Sequence, residues 1–304
     1  MFPSQHAVAP SQFRLFIYLI PDGLFLIAEG EFDVRLDFSR EVRETGQPEN
    51  AVHAELLCGT LLSVEGTDLT GAAKHLQNAA GLCASQANPA LLAQIKFELG
   101  SVAAQQGDLA RAVALYRETL AIADQSETEA TLSWQILSRN NLAYHLNLMG
   151  DPTAIQYARA GLSLAQEKGA LGLQPYLLST LGEIALAQND LDMAENHFTA
   201  GLALAERLSI PERIAGLTAN LGLLAQRRGE TGLAIHRLST ALARADALGV
   251  FHLATQIRLW LVPLLPPTEA RAHLAHARTI AESSGRRLLL DQVTQLEQQI
   301  SLRG

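Results

Sequence analysis

The chain has 304 residues, of which 47 are Ala and 54 are Leu, while aromatic residues make up 5%. One third strong helix formers, within 48% hydrophobic residues, supplies enough apolar area for a core and argues against disorder and against a β-rich fold. The net charge is −8, and only three of the 23 basic residues are Lys (Lys74, Lys96 and Lys168), which excludes a basic stripe for nucleic acid and a polybasic membrane patch.

Residues 11–29 read SQFRLFIYLIPDGLFLIAE. Arg14, Pro21 and Asp22 interrupt the apolar run, so it stays short of the roughly 18 residues that a membrane span needs. A basic leader and a cleavage site are also missing, so a soluble cytoplasmic protein is expected. The first 38 residues carry Phe2, Phe13, Phe16, Tyr18, Phe25, Phe32 and Phe38, nearly half of all the aromatics. This segment is expected to form a divergent N-terminal cap. Phe13, Phe16, Tyr18 and Phe25 are the candidate surface for self-association into a homo-oligomer.

Apolar periodicity predicts helix pairs at roughly 13–28/31–45, 49–64/68–85, 89–106/108–125, 129–149/151–168, 173–188/190–208, 212–228/230–248 and 251–262/267–284. A last helix at about 286–301 would turn Leu289, Val293, Leu296 and Ile300 toward the core and cap the array. Cys58 and Cys83 fall within helical patterns and read as buried free thiols.

The turns between these helices repeat. Gly30, Gly66, Gly107, Gly150, Asn189 and Gly229 follow one another at intervals of 36, 41, 43, 39 and 40. Seven residues before each stands Gly23, Gly59, Gly100, Ala143, Gly182 or Gly222. A tiny side chain there allows close helix approach, and a Gly or Asn at the turn tolerates the positive φ that ends a helix. The acidic residue or Thr that follows can cap the next helix. That second helix repeats Ala112, Tyr116, Leu120; then Ala194, Phe198, Leu202; then Ala234, Leu238, Leu242, each in four-residue steps on one face. In the 150 turn the register slips by one, and Pro152 is expected in the first turn of its helix.

This pattern resembles the tetratricopeptide repeat (TPR) family. The clearest units are FELGSVAAQQGDLARAVALYRETLAIA (97–123), LLSTLGEIALAQNDLDMAENHFTAGLALA (177–205) and LTANLGLLAQRRGETGLAIHRLSTALARA (217–245). The period is near forty rather than the family's 34. It is similar in length to the repeats of bacterial maltose-activator-like regulators and of kinesin light chain. The resemblance implies an all-α fold: a right-handed superhelical solenoid of about seven antiparallel helix pairs with a C-terminal capping helix. The expected organisation is a divergent cap over 1–48, five repeats over 49–249, and a divergent last repeat with the capping helix over 250–304.

By the same resemblance, the first helix of each pair lines a concave groove. The groove residues it implies are Phe97, Glu98, Asn140, Asn141, Tyr144, Asn147, Tyr176, Thr180, Glu183, Asn220, Leu223 and Arg227. Asn141, Thr180 and Asn220 hold equivalent positions in successive units, and such a ladder can hold an extended peptide by its backbone. Tyr144 and Tyr176 are natural anchors. A carboxylate clamp is absent, because no Lys occupies the matching positions.

No phosphate-cradling loop, dinucleotide fingerprint, zinc-protease pattern or paired Cys motif occurs. His273 and His276 are three apart on a helix without a third ligand at helical spacing. The expectation is a non-catalytic scaffold with no metal and no cofactor, binding a protein or peptide in its groove. The alternative is the ligand-sensing module of a bacterial signalling or transcription regulator, taking a small molecule or a signalling peptide.

Overall fold

The computed structural model describes residues 15–20, 23–28, 48–66, 68–84, 88–125, 128–284 and 286–301. From residue 48 onward these fold as six antiparallel helix pairs and a closing helix. The pairs, called units one to six, are α1 (Pro48–Glu65) with α2 (Leu69–Cys83), α3 (Pro89–Gln105) with α4 (Leu109–Ala123), α5 (Glu129–Leu148) with α6 (Ala154–Glu167), α7 (Gln174–Ala187) with α8 (Leu191–Arg207), α9 (Pro211–Arg227) with α10 (Thr231–Ala247), and α11 (Phe251–Leu261) with α12 (Pro267–Ser284). Helix α13 (Arg287–Ser301) follows, and Val293 and Ile300 are buried on it, with Leu289 and Leu296 packed beside them as their spacing predicts.

Residues 15–20 and 23–28 differ from expectation. They hold an antiparallel hairpin instead of a helix, β1 (Leu15–Ile20) with β2 (Gly23–Ala28), in register from Leu15↔Ala28 to Ile20↔Gly23. The reason is local. LFIYLI and GLFLIA are rich in β-branched and aromatic side chains, which lose rotamer freedom in a helix and suit a pleat. Pro21 and Asp22 between them are turn-forming residue types. Phe16 and Tyr18 therefore belong to β1 and Phe25 to β2, with Tyr18 opposite Phe25. Phe13 and the helix expected at 31–45 lie outside the described residues.

Within units one to five the turns end as predicted, with positive φ at Gly66, Gly107, Gly150, Asn189 and Gly229. A second set was not anticipated: Gly169, Ser209 and Gly249, each forty residues apart, have positive φ where one pair passes to the next. Asp68, Asp108 and Asp190 cap α2, α4 and α8, their carboxylates accepting from the N–H of Gly71, Arg111 and Met193 at 2.8, 3.1 and 3.1 Å. Pro152 stands in the turn itself, since α6 begins only at Ala154. There Asp151 accepts from the N–H and hydroxyl of Thr153.

The small residue seven before the turn has a specific partner. A Cβ on Gly59 would lie 2.5 Å from Leu76, one on Gly100 2.7 Å from Tyr116 and one on Gly222 2.8 Å from Leu238. Gly182 meets Phe198 in the same way. Units one, two, four and five are thus each locked by a large side chain from the second helix seated on a glycine of the first. Tyr116 and Phe198 are 1% and 0% exposed. Cys58 and Cys83 are both buried.

Beyond its own pair, each first helix packs on the first helix of the next unit, whereas second helices meet their counterparts only marginally. Crowding on one side and splaying on the other is what curves a solenoid, so α1, α3, α5, α7, α9 and α11 form the concave side. The curve returns on itself. Arg286, buried just before α13, donates from Nη2 to Gln105 Oε1 at 2.9 Å, and its guanidinium abuts Gly66. Gln105 in turn donates to Ser63 Oγ at 2.9 Å, and Leu288 packs on Gly107. Among the described residues no helix is long and apolar enough to cross a membrane.

Candidate functional site

The concave floor is built from one face of each first helix, so its contents follow from residue spacing. Between units two and three it carries Glu98 and Ser101 from α3 and Asn141, Tyr144 and His145 from α5. The Tyr116 hydroxyl reaches the same place from α4, because Gly100 lets its ring pass beneath α3. Ser101 Oγ lies 3.3 Å from that hydroxyl, and the Asn141 side chain is within hydrogen-bonding reach of it.

The predicted groove residues divide into two classes. One class is committed to the protein itself. Thr180 donates to Asn140 Oδ1 at 2.9 Å, tying α7 to α5, and Asn140 donates to Asn141 Oδ1 at 3.2 Å. Asn220 donates from Nδ2 to Ser179 Oγ and to Glu183 Oε1, both at 2.9 Å, tying α9 to α7; Ser179 adds a bond to Glu183 at 3.0 Å. Asn140, Thr180 and Asn220 are all buried. The expected ladder for a peptide backbone is therefore largely an inter-unit clasp: positions that face a neighbouring first helix satisfy it before they can satisfy a ligand. Phe97 belongs to the same class, its ring 5.4 Å from both Tyr116 and Trp134. Leu223 packs on the core of units four and five.

The second class faces the groove. Tyr144 is 37% exposed and stands edge-on to His145, ring centroids 5.1 Å apart. Asn141 and Asn147 are half-buried along the same helix. Tyr176 is half-buried under the Arg213 guanidinium, 4.4 Å from the ring centroid. Arg227 is exposed at the end of α9. Arg213, His145 and the Tyr116 hydroxyl were missed by spacing alone. The Tyr116 position repeats as a core position, and nothing in the sequence tells that its polar tip emerges on the far side.

Electrostatics distinguish the floor. His145 presents Nδ1 to the Asn141 carbonyl oxygen at 2.7 Å, and a carbonyl only accepts, so Nδ1 carries the proton and Nε2 keeps its lone pair. Burial lowers the imidazole pKa and holds the ring neutral. Burial in the concavity pushes the Glu183 carboxyl up, against the donors Asn220 and Ser179 that pull it down. Glu98 is pushed up to about 7, and among the described residues no donor or cation offsets that burial. Its carboxylate keeps some solvent access, but the groove walls displace most of the surrounding water.

The Glu98 shift makes a stability statement. The native state holds a proton that the unfolded chain, with its ordinary value of 4.5, gives up. Stability therefore falls as pH rises from 4.5 through 7, and the penalty is complete above that. Glu98→Gln is expected to stabilise the protein by about 1–2 kcal/mol at pH 8 and to be neutral at pH 4.5, read from urea midpoints. An equal effect at both pH values would show that Glu98 is not the titrating group.

Neither a protein-family model nor a curated relative matches the chain. Solved structures do. Aspartyl phosphate phosphatase F from Bacillus subtilis is 14% identical, with 89% of this chain and 74% of that chain covered and a TM-score of 0.62. NprR in complex with its cognate peptide NprX is 13% identical, covering 87% and 81%, with a TM-score of 0.61. A signal-transduction ATPase with a tetratricopeptide repeat sensor, from Pyrococcus horikoshii, is 13% identical, covering 86% and 42%, with a TM-score of 0.54. The fold is a TPR-like helical-repeat solenoid. The repeats read from Gly59 to Gly229 are TPR-like units, and the helix-pair architecture holds through α12.

Proposed function

We propose that the chain is a non-catalytic TPR-like adaptor that binds a peptide or protein segment on its concave floor, within the repeats over 49–249. The observation that carries the reading is the floor of units two and three. There α5 carries an exposed Tyr144 and a half-buried Asn141, and α3 carries a carboxylate, Glu98, that has no partner among the described residues. Such a mixture of rigid aromatic area and amide groups on an open surface suits an extended chain. A small molecule would need a closed apolar pocket. The non-catalytic reading is supported by how the other polar groups are used: Asn220, Ser179, Thr180 and Asn140 hold neighbouring units together, and the His145 Nδ1 proton is given to a backbone carbonyl. NprR, with the same fold, is a peptide-bound protein. A signalling peptide is one ligand of the proposed kind.

Phage-displayed random nonapeptides, selected on the full chain and then synthesised, test this. Peptides are expected to bind the parent protein and to lose at least tenfold in affinity with Asn141→Ala/Tyr144→Ala, while Arg159→Ala on the exposed face of α6 changes nothing. Selected peptides that bind the groove variant and the parent alike would overturn the reading.

A further inference from the structure

We propose that the floor of units two and three seats a cationic group of the bound peptide, an ammonium or a guanidinium, against Glu98. This rests on the groove reading above and specifies what chemistry the groove selects.

Glu98 is an acidic side chain left without a compensating cation, and a bound cation would favour its charged form. The nearby Lys96 is engaged with Glu118 on α4, Nζ to Oε2 at 2.8 Å. His145 is neutral and turns its proton to a carbonyl. The two phenols that reach the floor, Tyr116 and Tyr144, are held protonated by burial. Among the described residues the floor therefore offers a carboxylate, ring faces and hydroxyl oxygens, and no countercharge. A half-buried carboxylate in that setting is costly alone and gains from a matched donor.

The floor also carries aromatic side chains, and the Tyr116 phenol is within electrostatic reach of Glu98. Tyr144 is 37% exposed and meets His145 at an interplanar angle of 86°, which adds exposed aromatic area to the floor. A cation between a carboxylate and an aromatic face is held by both, more strongly when partly desolvated. The wider groove agrees in sign. Glu183 lies one unit beyond Tyr144 and acts electrostatically on its phenol. The basic groups Arg213 and Arg227 belong to α9, further along the curve. Arg213 is itself paired with Glu212 at 2.9 Å, so the acidic groups Glu98 and Glu183 set the sign of the floor and draw a cationic group toward it.

The selected nonapeptides carry the test, because phage display leaves their N-terminus free. One fixed position is expected to be enriched in Lys or Arg, or else the free N-terminus itself is required. Synthetic peptides distinguish the sources: norleucine or citrulline at the basic position, or acetylation of the N-terminus, should weaken binding at least tenfold. Glu98→Gln, checked for unchanged helicity, should cause a similar loss for the parent peptide and no further loss for the neutralised one. Peptides that require Asn141 and Tyr144 but tolerate both neutralisation and Glu98→Gln would overturn the cation seat and leave the groove reading standing. Peptides indifferent to Asn141 and Tyr144 would overturn both.

Discussion

Gly182→Val is expected to cost about 3 kcal/mol of stability, measured by urea or thermal unfolding. Gly182 is buried on α7 and faces the ring edge of Phe198, which is itself fully buried on α8. Any Cβ there meets the ring, and Phe198 is enclosed by the core of units four and five, so the ring cannot yield without displacing α8. Phe198→Leu alone should cost about 1–3 kcal/mol through the space it leaves. The decisive measurement is the double variant. Because the two positions share one contact, the double variant should be more stable than the sum of the single losses predicts, by about 1 kcal/mol or more. Strict additivity would show that the glycine is conserving backbone freedom and not space for the ring.

Asn220→Ala is expected to cost about 2–3 kcal/mol, although Asn in mid-helix is usually a tolerant position. Its amide is the donor that Ser179 and Glu183 both use, and it joins α9 to α7 across 41 and 37 residues of sequence. Removing it leaves a buried hydroxyl and a half-buried carboxylate without that donor. The cost should also depend on pH. Asn220 and Ser179 favour the charged form of Glu183 and oppose the effect of burial. Without Asn220 the Glu183 carboxyl rises further, so the penalty is larger at pH 8, where the group must be charged, than at pH 5. By contrast, Asn141→Ala, at the equivalent position one unit from Thr180, should cost less than about 1 kcal/mol. Equal losses for Asn141 and Asn220 would show that the clasp is not specific to α7 and α9.

These two residues also mark how far the groove was legible. Their equivalence, with Thr180 between them, follows from the forty-residue spacing and is correct: all three lie on first helices. What spacing cannot tell is whether the side chain on that face meets a ligand or the next helix. The answer differs along the row, since it depends on how closely two first helices approach at that level. Phe97 and Leu223 fell on the inner side for the same reason, although each spends most of its area on a neighbour. Glu98 stayed open to the groove because the side chains around it, Tyr116 above all, fill the adjoining space without offering it a countercharge.

The one element misread outright, residues 15–28, has another cause. A step of seven between Gly23 and Gly30 continued the repeat, and the helical reading followed it. The residues between favour a pleat, and that local preference prevailed.

By itself the sequence determined the helix pairs from residue 48 on, their turns, and the glycine in four of the first helices that receives a large side chain from the second. All of these depend on contacts within about forty residues, so their period is written in the chain. Only the tertiary structure decided the rest. It brought Arg286 back to Gln105 and Gly66, committed Asn140, Thr180 and Asn220 to neighbouring units, and left Glu98 unpaired near the Tyr116 phenol. Those outcomes depend on how far each unit is rotated on the last, a small angle set by packing and summed around the curve, which no single repeat encodes.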